Sequence, residues 1–213
     1  MADRRFIHQD NIDDALKLLK IVVNILGENN IKYYLDFGTL IGAIRDKALI
    51  PWDDDMDISL VDEKDFIKIP KVLKEIEKRY GYRTYLYTFE ESIQRLKKKK
   101  ENFTIPNIDF TKKSNYQIAK IRSNKFWIFG RGNTCIDIFF QYKYKNSLYW
   151  LIFGKVYSVK KSLLDNGFKQ IDFYGISCTI PIEYDAYLTS IYGDWKTPKE
   201  DWVEDDGFAQ RKE

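Results

Sequence analysis

The sequence predicts an α+β fold that occupies residues 1–213 as a single domain. Hydrophobic residues recur at helical spacing over residues 12–26, which predicts an amphipathic helix. Several short runs rich in Ile, Tyr, Phe and Thr predict strands. The chain is long enough for one sizeable core, and no repeat or low-complexity linker divides it.

The first half of the chain alternates predicted helices and strands. The first helix ends where Gly27 is followed by Asn29 and Asn30. Further on, Asp62 is a favourable N-cap for a long helix, in which Pro70 favours a kink or a split. The predicted elements of this half are a helix at 12–26, a strand at 31–37, a short helix from the Gly-Thr turn at 38 to about 45, a strand at 56–61, a helix at 62–80 and a strand at 82–89.

The second half is predicted to consist mostly of strands in one antiparallel-leaning sheet. Aromatic and β-branched residues dominate four runs, and the Gly-Arg-Gly-Asn sequence at 130–133 is typical of a turn between two of them. Pro181 suits the start of a closing helix, and Gly193 ends that helix. The predicted elements are strands at 116–122, 125–129, 134–142 and 148–153, a hairpin of 169–173 with 175–179, and a helix at 182–191.

The most informative segment is the acidic cluster at residues 53–57, which leads into an apolar, strand-like run. Asp55 and Asp57 are two residues apart, so an extended chain places their carboxylates on the same face. By the same alternation, Asp54 is expected to point away from Asp53 and Asp55. Paired hard oxygen ligands suit Mg²⁺ held against a substrate phosphate, so the cluster is a candidate metal site. The alternative interpretation is a solvated acidic turn.

Two neighbouring motifs favour the phosphate interpretation. Upstream, residues 35–45 predict a strand, a turn and a helix start. There the backbone at Gly38 and the hydroxyl of Thr39 can approach a phosphate, with an ordinary turn as the alternative. Downstream, Asp137 lies in the middle of the apolar run 134–140, and a buried charge is costly unless it is paired or binds a metal.

Cations elsewhere in the sequence are candidates for binding anionic groups. Arg45 is expected either to clamp a phosphate or to pair with the acidic cluster. Lys120 and Arg122 alternate with apolar residues, so both lie on one face of a strand, turned either to a leaving phosphate or to solvent. The basic run from Lys97 to Lys100 predicts a solvated loop or a helix end, with contact to an anionic substrate or a membrane surface as the alternative.

Composition excludes several classes of function. The formal net charge of +3 does not indicate a nucleic-acid-binding protein. His8 is the only histidine, and Cys135 and Cys178 are the only cysteines. These counts exclude a Ser-His triad and a zinc framework, and leave a carboxylate as the expected general base. Neither a signal peptide nor a membrane-spanning run is found, so an enzyme in the cytoplasm or at the inner membrane surface is expected.

Four motifs together resemble the LicD family, which includes bacterial phosphorylcholine transferases and fukutin-type proteins. They extend over most of the chain and comprise residues 37–45 (FGTLIGAIR), 50–58 (IPWDDDMDI), 136–139 (IDIF) and 192–198 (YGDWKTP). The resemblance implies a nucleotidyltransferase-like fold, in which a small mixed β-sheet carries the catalytic carboxylates and helices flank the sheet.

The resemblance also implies a metal-dependent transfer of a phospho-alcohol, such as phosphocholine. The expected donor is a CDP-alcohol, the acceptor is a hydroxyl of a glycan or glycolipid, and CMP is released. Asp55 and Asp57 are expected to hold Mg²⁺ or Mn²⁺ against the donor diphosphate. Asp137 is expected to complete the metal site and to accept the hydroxyl proton. Asp53 is expected either to bind the metal or to orient the other carboxylates.

Asp194 and Trp195 lie in the fourth motif and are candidates for substrate binding. Trp195 is expected either to stack on a base or a quaternary ammonium group, or to cover the core. The chain departs from the family pattern at Thr39, where the wider superfamily usually has Ser. It departs again at Phe140 and Gln141, where LicD-type strands often read Asp-Ile-Phe-Pro, and this second departure predicts an altered acceptor side.

Two other functions stay open. A true nucleotidyltransferase moves NMP from an NTP to a small acceptor or a protein, and releases pyrophosphate. The other alternative is a non-catalytic nucleotide- or glycan-binding module, which a cluster of three mutually repelling acids disfavours. The sequence does not choose among choline, ethanolamine, ribitol and glycerol as the transferred alcohol.

Overall fold

The computed structural model describes residues 3–89, 115–124, 131–152 and 155–201. The predicted strand at 125–129 and the basic run from Lys97 to Lys100 lie outside these ranges. Within them, no helix is long and apolar enough to cross a membrane.

The described residues form four α-helices and ten β-strands. The helices are α1 (Gln9–Glu28), α2 (Phe37–Ile41), α3 (Ile69–Tyr80) and α4 (Tyr184–Tyr192). The strands are β1 (Tyr33–Leu35), β2 (Met56–Leu60), β3 (Arg83–Thr88), β4 (Tyr116–Asn124), β5 (Arg131–Phe139), β6 (Tyr142–Tyr144), β7 (Ser147–Ile152), β8 (Lys155–Lys160), β9 (Phe168–Phe173) and β10 (Ile176–Pro181). A π-helical turn (Gly42–Asp46) follows α2, and 3₁₀ turns span Glu63–Lys68 and Lys161–Leu164.

A five-stranded mixed sheet forms the centre of the fold. Its strand order is β1-β2-β5-β4-β3, in which only β2 and β5 run parallel. Helices α1 and α3 pack against each other and against this sheet, over a face where Ile58, Ala119 and Ile138 are fully buried. The α+β class and the mixed sheet flanked by helices are as predicted.

The opposite face of this sheet carries the charged residues. Strand alternation places Asp57, Lys120 and Asp137 there, because their neighbours in sequence supply the buried apolar face. Helices α1 and α3 therefore cover one side of the sheet, and the predicted catalytic groups lie on the other.

The prediction of one sheet for the second half is wrong. Strands β6, β7 and β8 form a separate antiparallel sheet, and β8 was not predicted. The expected strand at 134–142 divides at Phe140 and Gln141, whose side chains turn into the buried core and interrupt the pairing. Residues 131–133, expected in a turn, belong to β5. The β9–β10 hairpin is confirmed.

Prolines bear on two helix predictions: the split predicted near Pro70 is confirmed, whereas the helix start predicted at Pro181 is wrong. The helix expected from Asp62 is a 3₁₀ turn followed by α3, and Pro70 lies in the first turn of α3. A proline is tolerated there because its missing N–H has no intrahelical partner in any case. Pro181 does not open a helix but ends β10. The Ile182 N–H donates to the Gly167 carbonyl, so α4 begins only at Tyr184.

Candidate active site

The acidic centre is built where the two parallel strands of the sheet adjoin. Asp57 on β2 is the register partner of Asp137 on β5, and Asp55 immediately precedes β2. Carboxylate oxygens of all three residues lie within 4.8 Å of one another. This donor set consists of hard oxygens only, which are the ligands that Mg²⁺ and Mn²⁺ prefer, so the residues fit a divalent cation.

The carboxyl groups of this centre repel one another. Burial, followed by the charge of Asp137, raises the pKa of Asp55 to about 8. The pKa of Asp57 is raised well above its ordinary value by burial and then by the charge of Asp55. Acids held so closely favour protonation unless a cation balances them. The centre is thus electrostatically suited to a positive ligand.

Both oxygens of Asp137 are engaged by neighbouring side chains. Lys120 on β4 forms an ion pair with Oδ2, and Cys135 donates its thiol to Oδ1 at 3.1 Å. Burial lowers the pKa of Lys120, but the Asp137 charge and hydrogen bond outweigh it, so the net shift is upwards. Burial raises the pKa of Cys135, which keeps the thiol protonated as a donor. Sequence reasoning missed this role, although Cys135 lies two residues before Asp137 on the same strand face.

Asp53 and Asp54 adjoin the centre in an unexpected arrangement. Oxygens of Asp53, Asp54 and Asp55 also lie within 4.8 Å of one another. The expectation that Asp54 points away from its neighbours is therefore wrong, because β2 begins only at Met56 and strand alternation does not apply before it. Asp54 pairs with Arg4 at 2.5 Å. Burial raises the pKa of Asp53 to about 6.

The Gly-Thr turn lies directly against the acidic segment. A Cβ atom added at Gly38 would lie 2.4 Å from Oδ2 of Asp53, so a larger residue would require this carboxylate to move. The Thr39 hydroxyl accepts a hydrogen bond of 2.8 Å from the Asp57 N–H, and Thr39 is buried. In the described structure both residues position the acidic segment, and their contact with a phosphate stays a prediction.

A buried polar network supports this turn. The carboxylate of Asp36, the N-cap of α2, accepts hydrogen bonds from Ser59 (2.5 Å), Tyr187 (2.9 and 3.1 Å) and Gln141 (3.1 Å). Burial raises the pKa of Asp36 to about 6. Gln141 in turn accepts from Tyr34 at 2.8 Å, so its side chain is committed to the core. The expectation that Gln141 alters the acceptor side is not supported by these contacts.

The network reaches the acidic centre through the backbone. The Asp36 N–H donates to the carbonyl of Asp57 at 3.0 Å. Because Tyr187 belongs to α4, the network joins the last described helix to the strands that carry the acids. Sequence reasoning missed Asp36 as a structural residue, and its N-cap position before Phe37 was the available signal.

Arg45 donates a hydrogen bond to the fourth motif (residues 192–198). The guanidinium of Arg45 makes two hydrogen bonds to Asp46, of 2.8 and 2.7 Å, and one to the Trp195 carbonyl, of 3.1 Å. The alternative that Arg45 pairs with the acidic cluster is thus wrong: its carboxylate partner is Asp46. Asp194 holds its own turn by accepting from the Thr197 hydroxyl at 2.7 Å.

Trp195 lies in the core. It is 5% exposed and meets Tyr184 edge-to-face, with ring centroids 6.5 Å apart. Of the two expected roles, covering the core is the one that this burial supports. Contact of the Trp195 ring with a base or a quaternary ammonium group stays a prediction.

Lys120 and Arg122 lie on one face of β4, as predicted, and the same face of the sheet carries Asp57 and Asp137. Their register partners on β5 are Asp137 and Cys135. Both cations are half-buried, so neither belongs to a wholly solvent-facing surface. Whether they bind a leaving phosphate stays a prediction.

The mixed sheet and its clustered carboxylates have the form that the sequence resemblance implies for a nucleotidyltransferase domain. The family model described as LicD/FKTN/FKRP, nucleotidyltransferase domain, matches residues 30–183. This match includes most of the chain and all four predicted metal ligands, Asp53, Asp55, Asp57 and Asp137. The chain therefore belongs to the LicD/FKTN/FKRP family.

Individual relatives are more distant. An uncharacterised protein of Rickettsia typhi is 26% identical over 189 residues, which covers 84% of this chain and 45% of that protein. The lipopolysaccharide cholinephosphotransferase LicD of Haemophilus influenzae is 68% identical over 28 residues, 13% of this chain and 11% of that protein. The matched segments thus cover less than half the length of either relative.

Among solved structures, the antibiotic-resistance factor ANT(2'')-Ia is similar with a TM-score of 0.43 and 11% identity. The likeness covers 92% of this chain and 80% of that one. At this level it supports no conclusion about activity.

Proposed function

We propose that this protein is a metal-dependent transferase that moves a phospho-alcohol from a CDP-linked donor to a glycan or glycolipid hydroxyl. The observation that carries the proposal is the convergence of the Asp55, Asp57 and Asp137 oxygens within 4.8 Å at adjoining strands. Family membership and the short match to a cholinephosphotransferase support transferase chemistry.

In the proposed reaction, Asp55 and Asp57 hold Mg²⁺ or Mn²⁺, with Asp137 and Asp53 as the further carboxylates of the site. When bound, the cation supplies neutralisation of the donor diphosphate charge. The acceptor oxygen forms a bond to the phosphorus that bears the alcohol. The bond from that phosphorus to the bridging oxygen breaks, and CMP departs with the electron pair.

Asp137 is proposed to take the proton of the attacking hydroxyl. Its oxygens are held by Lys120 and Cys135, which fixes the carboxylate relative to the other two acids. A base held in place by its neighbours loses little orientational freedom on the way to the transition state.

The test of this proposal is a thermal-shift screen of the purified protein with CDP-choline, CDP-ribitol, CDP-glycerol, CTP, ATP and UTP, each with Mg²⁺, Mn²⁺ or EDTA. A ligand that binds only the folded state raises the melting temperature. A metal-dependent shift with one CDP-alcohol supports the proposal and identifies the donor. No shift with any CDP-alcohol contradicts it.

A true nucleotidyltransferase is the second candidate, because the matching family model is itself described as a nucleotidyltransferase domain. This candidate predicts metal-dependent shifts with NTPs alone and release of pyrophosphate. The same screen therefore separates the two reactions.

A further inference from the structure

A cross-strand row of side chains leads from the acidic centre to the far edge of the sheet. Asp57 on β2 opposes Asp137 on β5, which opposes Lys120 on β4, which opposes Tyr85 on β3. Directly opposed residues project from the same face of a sheet. The face thus changes along one line from carboxylates to a cation and then to an aromatic ring.

The aromatic end of this row is a pair of tyrosines. Tyr85 and Tyr87 alternate along β3, with ring centroids 6.5 Å apart and ring planes inclined by 12°. Both are half-buried, so part of each ring is accessible at the surface of the sheet. Their mutual stacking limits the orientations that the Tyr85 ring can take.

Further cations occupy neighbouring register positions on the same face as Tyr85. Arg122, which opposes Arg83 on the adjacent strand, lies two residues from Lys120 on the same face. Cations beside an aromatic ring suit a neutral ring attached to an anion, since a positively charged guest would be repelled. The surroundings therefore favour a nucleotide over a quaternary ammonium group.

The distance along the row also fits a nucleotide. With strands spaced about 4.8 Å apart, Tyr85 lies about 10 Å from Asp137. In the proposed reaction the alcohol is attached to the reacting phosphate and stays at the acids. The part of the donor that extends away from the reacting phosphate is CMP.

We propose that Tyr85, supported by Tyr87, stacks against the nucleobase of the donor, while Lys120 and Arg122 contact its phosphates. This inference rests on the proposed function. It assigns the β3–β4 side of the face to the leaving nucleotide, and so places the alcohol and acceptor on the β2 side. Stacking recognises the base in every CDP-alcohol alike, so Tyr85 does not select the alcohol.

The experiment measures the affinity of CMP and of CDP-choline by calorimetry in the presence of Mg²⁺. Tyr85→Leu removes the aromatic ring, and we expect it to lower the affinity for both ligands by the same factor, about tenfold. Tyr85→Phe keeps the ring and should retain the wild-type affinity. The matched control is Tyr149→Leu on β7, which removes a strand tyrosine from another aromatic pair, with Tyr144, on the separate sheet.

The possible results separate this inference from the proposed function. Unchanged affinity in Tyr85→Leu would overturn the inference and leave the transferase intact. A weaker affinity for CDP-choline with an unchanged affinity for CMP would indicate that the ring contacts the alcohol, and this result would also overturn the inference. Failure of the wild-type protein to bind either ligand would contradict the proposed function itself. If Tyr85→Leu does not fold, nuclear Overhauser contacts between cytosine and tyrosine ring protons in the wild type decide, and their absence counts against the inference.

Discussion

Gly38 shows how a single position constrains the acidic centre. The site that a Cβ would occupy is only 2.4 Å from the Asp53 carboxylate, and this contact cannot be read from the sequence. The sequence indicated glycine for a different reason, namely the approach of a phosphate to a turn. The two explanations are separable by experiment, because a displaced Asp53 would weaken cation binding at the proposed metal site even when no phosphate is present.

We expect Gly38→Ala to displace the Asp53 carboxylate and to weaken Mg²⁺ binding by about tenfold or more. Calorimetric titration with Mg²⁺ in the absence of nucleotide measures this effect. The control is Gly27→Ala in α1, where a Cβ meets nothing within 4 Å and alanine is the better helix former. Equal Mg²⁺ affinity in both variants would show that Asp53 does not contribute to the site.

The residues of the site differ in how well the sequence predicts them. The two-residue spacing of Asp55 and Asp57 and the apolar surroundings of Asp137 are local patterns that marked each residue, and the family resemblance suggested that the three cluster. The roles of Cys135 and Asp36 depend on hydrogen bonds formed only in the folded chain. Side-chain contacts between distant segments leave little trace in one sequence.

At the scale of elements, the Asp36 network joins α4 to the central sheet through one helical residue. Tyr187 donates to the Asp36 carboxylate, which also accepts from Ser59 and Gln141. A buried carboxylate that loses one of its donors keeps the cost of its own desolvation. The network is thus expected to be sensitive to each of its members.

We expect Tyr187→Phe to lower the free energy of unfolding by about 1–3 kcal/mol, because Asp36 loses one donor at a fully buried site. Urea denaturation measures this change. Tyr184→Phe is the matched control on the same helix, where the ring packs against Trp195 and the effect should be small. A comparable loss in both variants would indicate general packing of α4 and not the network.

The predicted boundaries of secondary-structure elements were wrong where tertiary contacts overrode local sequence preference. The run at 134–142 reads as one strand, yet Phe140 and Gln141 are drawn into the core, and the chain begins a second sheet after them. Pro181 has the right residue type for a helix start, but the preceding hairpin extends to include it. The central helices and strands were predicted well because their hydrophobic periodicity is strong.

For the molecule as a whole, the raised carboxyl pKa values link stability to pH. Without metal, the folded state holds the proton of Asp55 up to about pH 8, whereas an unfolded carboxyl releases it near its ordinary value of 3.8. The stability that Asp55 contributes is therefore fully present below about pH 4 and is lost as the pH rises through 8. A divalent cation bound at the proposed site would replace the proton and offset this loss.

We expect Mg²⁺ to raise the melting temperature more at pH 8 than at pH 6, because fewer protons must be displaced at the higher pH. The apparent dissociation constant for Mg²⁺ should increase by up to about tenfold for each unit by which the pH falls, per proton displaced. Thermal melts with Mg²⁺ or EDTA across this range measure both quantities. A shift of the same size at both pH values would mean that Mg²⁺ does not bind at the acids with raised pKa values.

The acidic face is proposed to transfer a phospho-alcohol and to release CMP. The most direct measurement is chromatographic quantitation of CMP and pyrophosphate after incubation with each CDP-alcohol or NTP, Mg²⁺ or Mn²⁺, and lipopolysaccharide as the acceptor. We predict CMP from one CDP-alcohol, its loss with EDTA, and a fall of more than about a hundredfold in Asp57→Asn. Pyrophosphate from an NTP, with no CMP from any CDP-alcohol, would contradict the account.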